Sequence, residues 1–230
     1  MRDWGRVRRT IAACLAAHAC APAMIEAQTI PYVGGVAGIS TLSADGRASI
    51  SADAAAVSLY APENGPAVNL FAGVHLSDYV SVQGNYIANS NRLTLTASTG
   101  SDRGIAFYEQ ERSSVQHAAI ADLLAYFREP TRRMRPYLSA GLGLVRFASD
   151  AVELGARHGD LAIPSRRVTS LAAVLRVAVG IDLAGRNGWA IRYTFSEAIR
   201  SNPISRELSP AGQRGLANFQ NLFGIVKSFP

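Results

Sequence analysis

From Leu171 to Leu183 every odd-numbered residue is apolar, and the two charges in the stretch, Arg176 and Asp182, both fall on even positions. A period of two marks an extended strand whose successive side chains point to opposite faces. The split recurs along the chain. Val68, Leu70, Ala72, Val74 and Leu76 oppose Asn69, Gly73, His75 and Ser77, with Phe71 the one large apolar member of the second face. Val80, Val82, Tyr86 and Ala88 oppose Ser81, Gln83, Asn85 and Asn89; Leu138, Ala140, Leu142 and Leu144 oppose Ser139, Gly141 and Gly143; and Trp189, Ile191, Tyr193 and Phe195 oppose Arg192, Thr194 and Ser196.

Eight such runs are predicted, at residues 31–43, 66–77, 79–96, 116–128, 135–148, 169–184, 189–200 and 217–229. Three are less clean. In 116–128 the face that carries Asp122, Tyr126 and Arg128 also carries Ile120 and Leu124. In 217–229 Asn221 and Lys227 share the parity of Phe219, Phe223, Ile225 and Phe229; Lys227 can snorkel from a strand end, but Asn221 has no evident place. The run 31–43 alternates only loosely. The Ala- and Leu-rich stretches 116–128 and 170–185 admit a helical reading, but the strict odd-even split of the second argues for a strand.

The connectors carry as much information as the runs. They are short after runs two, four and six (77–78, 129–134 and 185–188) and long and polar after runs one, three, five and seven (44–65, 97–115, 150–168 and 202–216). Tight turns at one end and long loops at the other define an up-and-down membrane barrel. The fold expected is therefore all-β: an eight-stranded antiparallel up-and-down transmembrane β-barrel. A soluble barrel of lipocalin type has the same strand count with the polarity reversed, and alternation alone does not separate the two. Aromatic strand ends and inward charges do. Lipid offers the backbone no hydrogen bonds, so a spanning sheet must close on itself, and about 9 to 11 tilted residues cross the apolar layer. Tyr32, Tyr79, Tyr126, Phe127, Tyr137, Trp189 and Phe229 lie at the tight-turn ends, where an interfacial girdle is expected. Asp122, Arg176, Asp182 and Arg192 are assigned to the lumen, because an arginine facing mid-membrane lipid costs about 2 to 4 kcal/mol. There they can pair as a polar network, and a packed polar core is favoured over a gate or proton path.

Residues 1–27 read as a cleaved signal peptide, leaving residues 28–230 as the barrel. Arg2, Arg6, Arg8 and Arg9 precede a short apolar run, and Ala27 closes a small-residue cleavage site, with Ala23 a second choice. The run is too short for a membrane anchor, and Cys14 lies too near the arginines for a lipoprotein signal. Cys14 and Cys20 both fall in this leader, so no disulfide, structural zinc or thiol nucleophile is expected afterwards. Residues 1–27 hold four basic and two acidic residues, so the formal charge falls from +6 to +4 without them. The arginines are scattered, and no nucleic-acid partner is expected.

The stretches Pro31-Tyr32-Val33-Gly34-Gly35-Val36-Ala37-Gly38, Arg135-Pro136-Tyr137-Leu138-Ser139-Ala140-Gly141-Leu142-Gly143, Val179-Gly180-Ile181-Asp182-Leu183 and the closing Phe219–Phe229 resemble the OmpA-like superfamily of small outer-membrane β-barrel proteins over essentially all of residues 28–230. The resemblance implies residence in the bacterial outer membrane, contact with its lipids, and assembly by the barrel-assembly machinery through a closing aromatic, here Phe229. Family members end in that aromatic, whereas Pro230 follows it here. Wall tethering, a property of longer relatives, is not expected.

Some eight-stranded barrels that resemble this one are lipid-modifying enzymes, so a histidine beside a hydroxyl is a candidate site. His75-Leu76-Ser77 resembles the His-x-Ser pair of lipid A deacylases, but lies at the tight-turn end. His117 sits near Glu111, Ser113 and Ser114 without a strict motif, and His158 lies in a polar loop. No metal spacing, phosphate-binding glycine loop or nucleophile elbow is found. The expectation is a non-enzymatic barrel without cofactor, with a structural or surface-interaction role and a possible surface ligand at four extracellular loops. The alternatives are a narrow channel or transporter for small or apolar solutes, and a lipid-modifying enzyme.

Overall fold

A computed structural model describes residues 29–43, 48–49, 56–101, 104–152, 167–204 and 215–229. The proposed leader, its cysteines and His158 lie outside these residues. The described residues form ten strands: β1 (Ile30–Ser43), β2 (Ala48–Ser49), β3 (Ala56–Pro62), β4 (Asn64–His75), β5 (Val80–Ser101), β6 (Gly104–Tyr126), β7 (Met134–Val152), β8 (Val168–Ala184), β9 (Trp189–Ser201) and β10 (Gly215–Ser228). Every pairing is antiparallel. β1 pairs with β4 on one side and β10 on the other, and the β5–β6 pairing closes the sheet, so eight strands form a closed barrel. The short β2 and β3 are additions: β3 continues the line of β4 along β5, and β2 pairs with β3.

Within the segment expected as a loop at 97–115, residues 97–101 and 104–115 are instead strand, because β5 and β6 stay paired from Val80↔Ala125 to Ser101↔Gly104. The connection 44–65 is likewise partly β2, β3 and the start of β4. Above the lipid a strand needs no apolar outer face. The outward Arg92 and Ser113 are polar and exposed, while the inward face mixes Leu93 and Leu95 with Arg112, Ser114 and Gln116, so the alternation that betrays a membrane strand fades. At about 3.4 Å per residue, residues 89–101 of β5 extend the hairpin by about 40 Å along the strand.

The tight turns have local causes. Between β8 and β9, Asn187 (φ 56°) and Gly188 (φ 75°) are both left-handed, and the Trp189 amide donates to the Arg186 carbonyl at 3.1 Å. That is a type I′ turn, whose twist matches the strands it joins and which Asn-Gly favours. Between β4 and β5, Ser77 Oγ accepts the Tyr79 and Val80 amides at 3.3 and 3.1 Å.

The polarity of the barrel is that of a membrane protein. Leu70, Leu123, Leu142, Leu144, Leu171, Phe223 and Ile225 are exposed on the outer wall, with Leu171 69% accessible, while Arg176 and Arg192 are 2% and 1% accessible inside. This arrangement excludes the lipocalin pattern, in which apolar side chains point inward. Asn221 does face outward, where its Oδ1 accepts the Tyr193 hydroxyl at 2.9 Å. Lys227 reaches the rim, bonds to the Asn187 carbonyl and sits 5.6 and 5.7 Å from the rings of Trp189 and Phe229.

Candidate functional site: the packed lumen

Inward side chains fill the barrel in layers. At the tight-turn end Arg192, on β9, is the hub. Its Nε and Nη2 donate to Asp182 Oδ1 and Oδ2 at 2.6 and 2.7 Å, Nη1 to Gln83 Oε1 at 2.7 Å, and Nη2 also to the Tyr126 hydroxyl at 2.9 Å. Tyr126 in turn donates to Asp182 at 3.1 Å, and Tyr32 to Gln83 at 3.2 Å. Phe71 and Tyr137 place their rings 4.8 and 5.0 Å from the guanidinium, a stacking suited to its flat, delocalised charge. The local sequence dictates the central pair: the Asn187-Gly188 turn sets Ala184 against Ala190, and two residues further from the turn Asp182 faces Arg192.

Asp122 and Arg176 form a second buried ion pair, one strand apart. Gly141 of β7 lies between them, in register with both. A Cβ at Gly141 would meet the Asp122 carboxylate, so the missing side chain leaves room for the two charges to meet above the middle strand. Gly73 and Gly180 play the same part beneath Tyr32 and Tyr137, their respective cross-strand partners. Asn69 and Gln83 both donate to Asn85 Oδ1, at 3.0 and 2.7 Å, beside this pair.

Farther along the axis Ile87, Ile120, Val145 and Val174 make an apolar layer. Next come side-chain amides: Asn218 donates to Asn89 at 3.2 Å, and Asn89 to Asn91 at 2.8 Å. Arg200 stacks 4.7 Å from Phe147. Leu42, Leu93, Leu95, Phe147, Val168, Ile204 and Leu216 then cap the long-connection end. Between the apolar and amide layers lies a cavity of about 20 Å³, room for about one water molecule.

The positions expected in the girdle divide. Tyr79, Phe127, Trp189 and Phe229 are exposed at the tight-turn rim, but Tyr32, Tyr126 and Tyr137 are buried in the lumen. Their hydroxyls explain the difference, since each finds a polar partner inside, Tyr137 with Thr194 at 2.6 Å. Arg128, expected inside, is exposed in the turn beyond β6, while Arg135 takes the inner place, donating to the Asp78 carbonyl at 2.8 Å and stacking 4.1 Å from Tyr126. Sequence reasoning missed Gln83, Tyr126 and Arg135 as parts of the network, although the parity of the first two signalled it.

His75 and His117 each meet a hydroxyl, but not that of Ser77, Ser113 or Ser114. His75 Nδ1 lies 2.6 Å from Ser81 Oγ, across the turn, and Ser77 is occupied by backbone amides. His117 faces outward, its Nδ1 2.9 Å from the Tyr86 hydroxyl, while Ser114 points inward and donates to the Asn91 carbonyl. No group of three or more metal-ligating side chains occurs among the described residues. Phe229 ends the wall, its amide donating to the Pro31 carbonyl at 2.9 Å.

A sheet closed on itself, apolar outside and charged within, defines a transmembrane β-barrel. Residues 10–211 match the family described as outer membrane protein beta-barrel domain. The chain belongs to that family, and its place is the bacterial outer membrane. No curated protein matches it. Among solved structures it is similar to Neisserial surface protein A, with 14% identity, 86% of this chain and 97% of that one covered, and a TM-score of 0.49. It is also similar to Ail, the attachment invasion locus protein of Yersinia pestis (10% identity, coverage 87% and 99%, TM-score 0.47), and to OprG from Pseudomonas aeruginosa (13%, 87% and 96%, 0.39).

Proposed function

We propose that this protein is a non-conducting, non-enzymatic barrel whose work is done at its surface, by the upright β5–β6 hairpin and the connections around it, with the tight turns in the periplasm. The filled lumen carries the reading. Among the described residues, two buried ion pairs, a layer of amides and apolar clusters enclose a cavity of about 20 Å³, which favours a plug over a path. A rigid wall that continues beyond the lipid as paired sheet suits recognition, since strands hold a binding surface more firmly than free loops do. The Asp122, Arg176, Asp182 and Arg192 network then serves to fix the barrel's shape, and Phe229 to mark the last strand for the assembly machinery.

A narrow conduit for small or apolar solutes would require the Arg192 layer and the outer apolar cap to part. Planar-bilayer recordings of the purified barrel test this directly. The expected trace is silent; discrete conductance steps, reproducible across preparations and altered by Arg192→Ala, would overturn the proposal.

A further inference from the structure

Asn221 is a polar residue that the apolar wall does not explain. It follows Lys227 of the rim back along β10 by six residues, about 20 Å of strand. With a tilt of about 40° that is about 15 Å above the rim, inside an apolar band of about 25 Å. The side chain is exposed there. The Tyr193 hydroxyl donates to its Oδ1 at 2.9 Å, which leaves Oδ1 one lone pair to offer and gives the two hydrogens of Nδ2 no acceptor among the described residues. Hydrocarbon supplies none.

That place is self-complementary about a twofold axis. Two barrels inserted the same way in one membrane are related by an axis along its normal, so a residue on the axis meets its own copy. An amide on the axis offers what its copy lacks: Nδ2 of each Asn221 can donate to the open lone pair of the other's Oδ1. The relief on either side fits as well. Asn221 is in register with Ile39 of β1 and Phe195 of β9. Toward β1 the wall is low, because its outward positions below Ile39 are Ala37 and Gly35. Toward β9 it is high, with Tyr193 and Phe195 exposed and Phe195 stacked 6.4 Å from Phe219. A half-turn about Asn221 sets the aromatic ridge of one copy over the small residues of the other. Apolar contact alone gains little in lipid, where close approach and side-chain hydrogen bonds hold chains together.

We propose that the wall centred on Asn221, from Ala37 of β1 to Tyr193 of β9, is the interface of a homodimer within the membrane, with the two Asn221 amides bonded reciprocally across the twofold. The interface stands apart from the surface role given under Proposed function. Sedimentation equilibrium of the purified barrel in density-matched detergent, with the detergent raised stepwise at constant protein, reads the association. Twice the mass of one chain is expected at low detergent. Asn221→Leu, which removes the amide, and Ala37→Phe, which raises the low side, should each weaken association by about tenfold or more, whereas Leu123→Ala on the opposite wall should leave it unchanged. Heat-modifiable gel mobility verifies that the variants fold. A single-chain mass at every detergent ratio would overturn the dimer, and association that survives both Asn221→Leu and Ala37→Phe would overturn this face as its seat. Urea unfolding in vesicles too dilute for association separates a role within one barrel: Asn221→Leu should raise the midpoint, since leucine suits lipid better than an amide, and a lowered midpoint would show that Asn221 serves its own barrel through Tyr193 and overturn the assignment.

Discussion

Replacing Asp182 by leucine strands the charge of Arg192 inside the barrel. The carboxylate accepts from Arg192 at 2.6 and 2.7 Å and from Tyr126 at 3.1 Å, and no second carboxylate bonds to Arg192 among the described residues. Breaking a buried pair from one side costs about 3 to 5 kcal/mol, because the remaining charge stays desolvated. Arg192→Met should cost a similar amount, leaving Asp182 with the Tyr126 hydroxyl alone. The double variant, apolar at both positions, leaves no bare charge; what it loses are the bonds of Gln83 and Tyr126 to the guanidinium, about 1 to 3 kcal/mol. The two single costs sum to roughly 8 kcal/mol, so the double variant should recover about 5 to 7 of it.

The measurement is urea unfolding of the barrel in phosphatidylcholine vesicles. Apart from Trp4, in the stretch read as the leader, Trp189 is the one tryptophan of the chain; it stands at the rim, where its emission reports loss of the wall. A double variant whose cost equals the sum of the singles to within about 0.5 kcal/mol would refute the coupling. Single costs below about 1 kcal/mol, the range of an exposed pair, would refute the burial.

Leu175→Arg, on the outer wall, should lower stability by about 2 to 4 kcal/mol, whereas Leu76→Arg beside the turn should cost no more than about 1, as vesicle unfolding can check. Asn187→Val places a β-branched residue at φ 56°; a cost of about 1 to 3 kcal/mol is expected, with slower refolding followed by the return of heat-modifiable mobility. Phe229→Ala should reduce the fraction of folded barrel recovered from cells, yet leave refolding of the purified chain into vesicles nearly unchanged, which separates recognition by the assembly machinery from intrinsic stability.

Why some of this was legible in the sequence and some was not follows from what each residue must satisfy. Where lipid touches the wall, one parity has to be apolar, so β4, β8 and β9 can be read directly and the inward side of Arg176 and Asp182 with them. Above the lipid that demand ends, and the upper parts of β5 and β6 read as loop although they are paired throughout. The tyrosines were ambiguous by composition, since a phenol suits both an interfacial belt and a polar interior. Parity resolves them: Tyr126 shares the face of Asp122, and Tyr137 that of Ser139 and Gly141. Pairing across strands is harder to read than parity, because register depends on the turns. The Asp182–Arg192 contact follows from an Asn-Gly turn five residues away, whereas Asp122 and Arg176 meet over a strand that neither belongs to. That second contact needs Gly141, and it gives a further test. Gly141→Val would put a branched side chain where the two charges converge, combining overpacking of about 1 to 3 kcal/mol with partial loss of the pair, so it should cost more than the same change at Gly84, which lies on the outer wall. Equal unfolding midpoints for the two variants would show that the ion pair does not depend on the gap in β7.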